Sequence, residues 1–302
     1  MECNLRVKES NMTIEGEYKQ LQSLFESAGS LPQLPKSPLR LSKMLDSTDS
    51  SPEEIEKLIL SDPALTAGLL RSASSIHHAR SRQVTTVREA IMVLGFRSLK
   101  SMAIALWTQS LIVEACKKSF FDPTRFTKNG SFVGYFSSVL LHELGEGNEH
   151  WSREEVYAGG VLCNISFGLL AVLKPESFDV VYEQAKAESW CLEKAFTERY
   201  GHEISELGPL AARALGLPGI FAAIIEHVSY PQSAMDYFHP LAILNYARAQ
   251  ADANSYGLQR WDLEFTVSGA VAEEVALPEE RIEQIVSEAR KHTLMHCPAN
   301  AA

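Results

Sequence analysis

Helical periodicity runs through almost the whole of this 302-residue chain, and no series of alternating strands interrupts it. Apolar residues patterned in that way are buried by packing helix stripe against helix stripe. Residues 14–28 (IEGEYKQLQSLFESA) set Tyr18, Leu21, Leu24 and Phe25 on one face before Gly29-Ser30 stops the run. LPQLPKSPLRLSKMLDS follows. Its prolines enforce an extended lead-in, because each fixes φ and disfavours helix in the residue before it, so a helix is predicted from near Pro38 to Asp46. SSPEEIEKLILSDPALTAGLLRSAS reads as two tandem helices, the first capped by Ser50 or Ser51 with Pro52 in its first turn, the second starting at Pro63. Thr86 and Glu89 form a capping box for VREAIMVLGF, which Gly95 ends, and an apolar helix continues through SLKSMAIALWTQSLIV. FFDPTRF breaks the pattern near residue 123. Helices are then predicted over 126–144, 153–173, 178–199, 203–215, 218–228, 239–256 and 279–292. The expected fold class is all-α.

Composition narrows the function. Apolar and charged fractions of 45% and 22% suit a globular protein without long disordered tracts. Runs such as AIALW and GLLAVL are far shorter than the ~20 residues of a membrane span, and MECNLRVKES has no apolar signal core. Five scattered cysteines, none in a CxxC pair, argue against a disulfide framework and for a reduced, cytoplasmic protein. A net charge of −10 repels phosphate, which argues against nucleic acid and acidic membranes as partners. Positive charge concentrates over residues 71–100, where Arg71, Arg80, Arg82, Arg88, Arg97 and Lys100 face one acid, Glu89.

Three segments in order, LPQLPKSPLRLSKMLDS, EEIEKLILSDPALTAGLLRSASS and VTTVREAIMVLGFRSLKSMAIAL, resemble the HDOD domain, a bacterial relative of the HD metal-dependent phosphohydrolases. VYAGGVLCNISFGLLAVL and GHEISELGPLAARALGLPGIFAAIIEHV look like the family's later helices. The resemblance implies a tail over 1–16 and an HDOD-like domain over 17–230. That domain would comprise an N-terminal helical half (17–122) and an HD-like helical bundle (123–230). A C-terminal helical extension over 231–302 would pack on the core. It also implies a regulatory part of a signalling pathway rather than a hydrolase.

An HD hydrolase holds its cation with a His, a His-Asp pair and a later Asp, ligand types that give lone pairs and balance charge. Where full-site relatives have the His-Asp pair, this chain has Cys163-Asn164 in AGGVLCNISFGL. Asn129 falls at the first His and Arg248 at the last Asp, so all four are vacated ligand positions. Neither amides nor a guanidinium would hold a catalytic metal, and no metal or other cofactor is expected. Asn164 would then need hydrogen bonds, because burying an unpaired amide costs roughly 1–3 kcal/mol.

Other candidates are weaker. His202 with Glu206 has i,i+4 spacing, Ile204 stands where some relatives have a His, and His227 in IIEHV would face the former pocket. GxSxG elbows and phosphate-loop motifs are missing. The reading is therefore a non-catalytic module that docks a signalling protein. Arg71, Arg80, Arg82, Arg97 and Lys100 are candidate contacts for an acidic protein surface, or for a small acidic ligand or nucleotide. The alternative is a phosphohydrolase acting on a nucleotide through a non-standard metal site built from His202, Glu206 and His227.

Overall fold

In a computed structural model the described residues are 2–28, 44, 51–61, 63–76, 84–116, 119–145, 151–261 and 263–296. They contain no strand, as the periodicity requires. Apart from Met44, which is helical, the helix expected from near Pro38 to Asp46 lies outside the described residues, as does the connection holding His77 and His78.

The first helices are α1 (Glu2–Glu26), α2 (Pro52–Leu60), α3 (Pro63–Ile76) and α4 (Val87–Ala115). Local chemistry sets their starts. Ser51 and Glu54 close one capping box and Thr86 and Glu89 another, each satisfying amides that the first turn leaves free. Gly95 adopts φ 71°, a conformation that side-chain-bearing residues avoid, and it breaks α4 where the sequence places a helix end. The helix runs on beyond this kink.

Asp122 accepts from the amides of Thr124 (3.0 Å) and Arg125 (3.1 Å), and Pro123 opens α5 (Pro123–Leu144). The stretch expected as one helix over 153–173 is two, α6 (Arg153–Leu162) and α7 (Ile165–Leu173), separated by the Cys163-Asn164 turn. The expected helix 178–199 also divides, into α8 (Pro175–Glu188) and α9 (Leu192–Tyr200), because Ser189 turns into the left-handed region at φ 54°. α10 (Gly208–Ala214), α11 (Gly219–His227), α12 (Phe238–Ala253), α13 (Gly269–Glu274) and α14 (Glu279–His296) complete the order.

α5 is the axis of the second half. Ten successive residues from Asn129 to Ser138 are buried, so its polar groups must be satisfied within the protein. Ser137 donates to the Val133 carbonyl, and Ser138 Oγ donates to the Tyr135 carbonyl at 2.8 Å. α6 lies against α5 at backbone contact. A Cβ on Gly160 would come within 2.6 Å of Gly134 Cα, and one on Gly134 within 2.7 Å of the Tyr157 carbonyl. The Gly159-Gly160 step therefore exists for helix approach. Arg153–Leu173, by itself apolar and long enough to cross a membrane, is 89% buried core over its most apolar window.

Two outer helices complete the packing. α1 lies on α7, α9 and α10. Tyr18 stacks on His202 at 3.9 Å between ring centres and donates to Glu206 Oε2 at 3.1 Å, while Glu17 pairs with Arg199 at 3.1 Å. α14 lies along α5, burying Ile282, Ile285, Ala289, His292 and Thr293. His292 Nδ1 and Ser131 Oγ are 3.2 Å apart, and Arg281 pairs with Glu143 at 2.6 Å.

Candidate functional site

The turn between α6 and α7 delivers Asn164 to the centre of the second half, where it meets Asn129 from α5 and Arg248 from α12. Asn164 precedes α7 and is a good capping residue by type, yet its side chain makes no cap. Both its polar atoms are engaged elsewhere. Nδ2 donates to Asn129 Oδ1 at 2.8 Å, and Oδ1 accepts from Arg248 Nη2 at 3.0 Å. Asn129 Nδ2 in turn donates to the Tyr256 carbonyl at 2.9 Å.

Chemistry fixes the direction of this relay. A guanidinium only donates, so Asn164 must turn its oxygen to Arg248 and its NH2 to Asn129. Asn129 then presents oxygen to Asn164 and NH2 to a backbone carbonyl, which can only accept. Every atom of both amides has a complementary partner.

Arg248 is anchored at two further points. Nη1 donates to Ser229 Oγ at 2.9 Å, and Nη2 pairs with the carboxylate of Glu193, in the first turn of α9. Burial works to lower the Arg248 pKa, but Glu193 outweighs it and the net direction is upward, so the charge is permanent. One turn along α12, Asp252 accepts from Gln259 Nε2 at 3.0 Å. Burial, reinforced by Glu193, raises the Asp252 carboxyl from 3.8 to about 6. Cys163 is buried and donates to the Gly160 carbonyl at 3.1 Å. Burial pushes its thiol up to about 12, so it is protonated at neutral pH.

This donor set does not fit a catalytic divalent cation. At the four expected positions, two amides, a protonated thiol and a guanidinium supply no charge to balance one, and the carboxylates of the cleft are already engaged, Glu193 by Arg248 and Asp252 by Gln259. Asn129, Asn164, Glu193, Arg248, Asp252 and Gln259 line a cleft of about 10 Å³. That is room for about one water molecule. The cleft is too small for an organic ligand.

The remaining candidates do not converge on it. His202 and Glu206 are 3.2 Å apart, but they seat Tyr18 of α1. Ile204 is buried in the same turn, and His227 Nδ1 lies 2.8 Å from Ser233 Oγ rather than facing the cleft. Among the described residues no three His, Cys, Asp or Glu side chains cluster to hold a metal. In the basic stretch, Arg71 is exposed on α3 and Lys100 is half-buried on α4. Arg97 lies in α4, while Arg80 and Arg82 lie outside the described residues. Arg88 pairs with Glu56 at 2.9 Å.

Sequence reasoning missed Glu193, Ser229, Asp252 and Gln259. Asp252 was within reach of it, since i,i+4 spacing from Arg248 puts both on one helical face. Glu193 has no local signal.

Comparison with known proteins identifies the family. The family profile of the HDOD domain matches residues 31–231, and the chain belongs to that family. No curated protein matches. Among solved structures, an HDOD domain protein of unknown function from Geobacter sulfurreducens superposes with a TM-score of 0.67 at 17% identity, covering 93% of this chain and 97% of its own. A Shewanella amazonensis protein, described provisionally as a phosphohydrolase, gives a TM-score of 0.62 at 22% identity, covering 91% and 96%. A Marinobacter aquaeolei protein, described provisionally as a signal transduction protein, gives 0.64 at 19%, covering 94% of this chain and 65% of its own. At these identities the likeness is one of fold.

Proposed function

We propose that this chain is a non-catalytic regulatory module of bacterial signal transduction, cytoplasmic, which acts by docking a partner protein. The observation that supports it most is the Arg248–Glu193 pair with its Asn164–Asn129 relay. It holds a permanent, hydrogen-bonded cation at the position that the resemblance matches to a carboxylate ligand of HD enzymes, which supports a non-catalytic reading. The resemblance to a provisionally described signal transduction protein is consistent with it.

The test is calorimetric titration with manganese of the wild type and of the fourfold variant Asn129→His/Cys163→His/Asn164→Asp/Arg248→Asp. The wild type is expected to show no saturable heat in the micromolar range, and the variant to gain binding. Stoichiometric, micromolar manganese binding by the wild type, with hydrolysis of a nucleotide, would instead establish a phosphohydrolase. For docking, Arg71, Arg80, Arg82, Arg97 and Lys100 offer positive charge to an acidic partner surface. Reversing Arg80 and Arg82 to Glu should reduce partner capture, and an unchanged set of captured proteins removes that face from the proposal.

A further inference from the structure

A second cavity, of about 590 Å³, opens where the N-terminal end of α5, the turn after α12 and the last turns of α14 meet. Its volume is that of an ordinary small-molecule site, unlike the 10 Å³ cleft at the altered ligand positions. Its wall is positive although the chain carries a net charge of −10. Arg125 and Lys128, at i,i+3 spacing, share one face of α5, and Arg290 reaches in from α14. The positive end of a 22-residue helix adds to the same field.

Among the described residues Asp122 is the one acid of the wall, and its charge is already used. Oδ1 accepts from the amides of Thr124 and Arg125, and Oδ2 pairs with Arg260 at 3.1 Å. The cations are positioned but not neutralised. Arg125 Nη1 donates to the carbonyls of Ser255 (3.1 Å) and Gly257 (3.0 Å), and Arg290 Nη2 to Asn254 Oδ1 at 2.6 Å. All these partners are uncharged. Thr124 and Ser255 supply hydroxyls, and Tyr256 and Leu294 apolar surface. Ser255 is held at φ 64°, a strained conformation for a residue with a side chain, which fixes the turn beneath Arg125.

We propose that this cavity binds a small organic phosphate carrying two or more negative charges, held by Arg125, Lys128 and Arg290. Such a ligand supplies the countercharge that the wall lacks, and phosphate oxygens match the fork of an arginine. The site also touches the central relay through the backbone, because the 254–257 turn that Arg125 grips presents the Tyr256 carbonyl to Asn129. Ligand binding would therefore bear on the element that the Asn129–Asn164–Arg248 network reads. None of this depends on the regulatory reading of the central site, which the manganese titration tests separately.

The test is titration calorimetry of the full chain with inorganic pyrophosphate and, separately, a nucleoside triphosphate. Dissociation constants of about 0.1–1 mM are expected, weakening as ionic strength rises. Lys128→Ala should weaken binding about fivefold to tenfold, and Lys128→Glu/Arg290→Glu should abolish it. The exposed surface variant Lys186→Glu, on α8, should bind as the wild type does. Circular dichroism of each variant confirms the fold. No saturable heat with either probe, binding that survives the double reversal, or equal loss in Lys186→Glu overturns the proposal.

Discussion

Removing Glu193 should expose how the central cluster is held together. Arg248 has 14% of its side chain exposed and Glu193 32%, so the arginine is the buried partner and the glutamate reaches water. In Glu193→Ala the guanidinium keeps two neutral acceptors, Asn164 Oδ1 at 3.0 Å and Ser229 Oγ at 2.9 Å, but loses its bonded carboxylate. Breaking a fully buried pair costs about 3–5 kcal/mol. Partial exposure of Glu193 means part of its interaction is screened by solvent, which brings the expected loss to about 2–3 kcal/mol. Arg248→Met should cost about 1–3 kcal/mol by a different route, leaving Asn164 Oδ1 buried without a donor. Arg248→Met/Glu193→Leu removes both charges. It should be less destabilised than the sum of the single variants by at least about 1.5 kcal/mol. Urea unfolding of the four proteins at about pH 7.5, analysed at constant slope, gives all the terms. Glu193→Ala within about 0.5 kcal/mol of wild type, or strict additivity in the double variant, refutes the claim that this pair holds the central cluster together.

Asp252 gives a pH dependence of definite sign. Its folded pKa, about 6, lies above the ordinary 3.8, so folding favours the protonated form and its contribution falls as pH rises from about 4 to 6. That rise corresponds to at most about 3 kcal/mol. Allowing for its partial exposure, Asp252→Asn should stabilise the protein by about 1–2 kcal/mol near pH 7.5 and flatten the acid-side slope. Urea midpoints across that range check it, and a variant less stable than wild type near pH 7.5 contradicts it. Gly160→Ala should cost at least about 2 kcal/mol, because its Cβ meets the backbone of Gly134 and Val133 rather than a side chain that can swing away. A thermal melt within error of wild type would show that α5 and α6 separate freely.

The legible part of this protein is the part written over short distances. Caps at Ser51 and Thr86, the prolines at the first turns of α2 and α3, and the Gly95 break depend on residues within one turn of each other, so they can be read without a fold. The same holds for membership of the HDOD family, which ordered motifs along the chain carry. Helix ends fixed by packing were not legible. The Cys163-Asn164 turn divides an unbroken apolar run, because Asn164 bonds across to α5 and α12 instead of capping its own helix.

Tertiary structure alone decided the partners of Asn129, Asn164 and Arg248. Sequence reasoning expected that Asn164 would need partners. It did not show that Glu193, 55 residues before Arg248, would supply the countercharge, or that Tyr256 would end the relay with a backbone carbonyl. It likewise gave no sign that His202 and Glu206 serve to seat α1 through Tyr18. Charge pairing and amide orientation are settled by which atoms the packed helices bring within about 3 Å. No periodicity or local propensity encodes that distance, so the helices could be read from the chain while the partners of the central side chains came only from the fold.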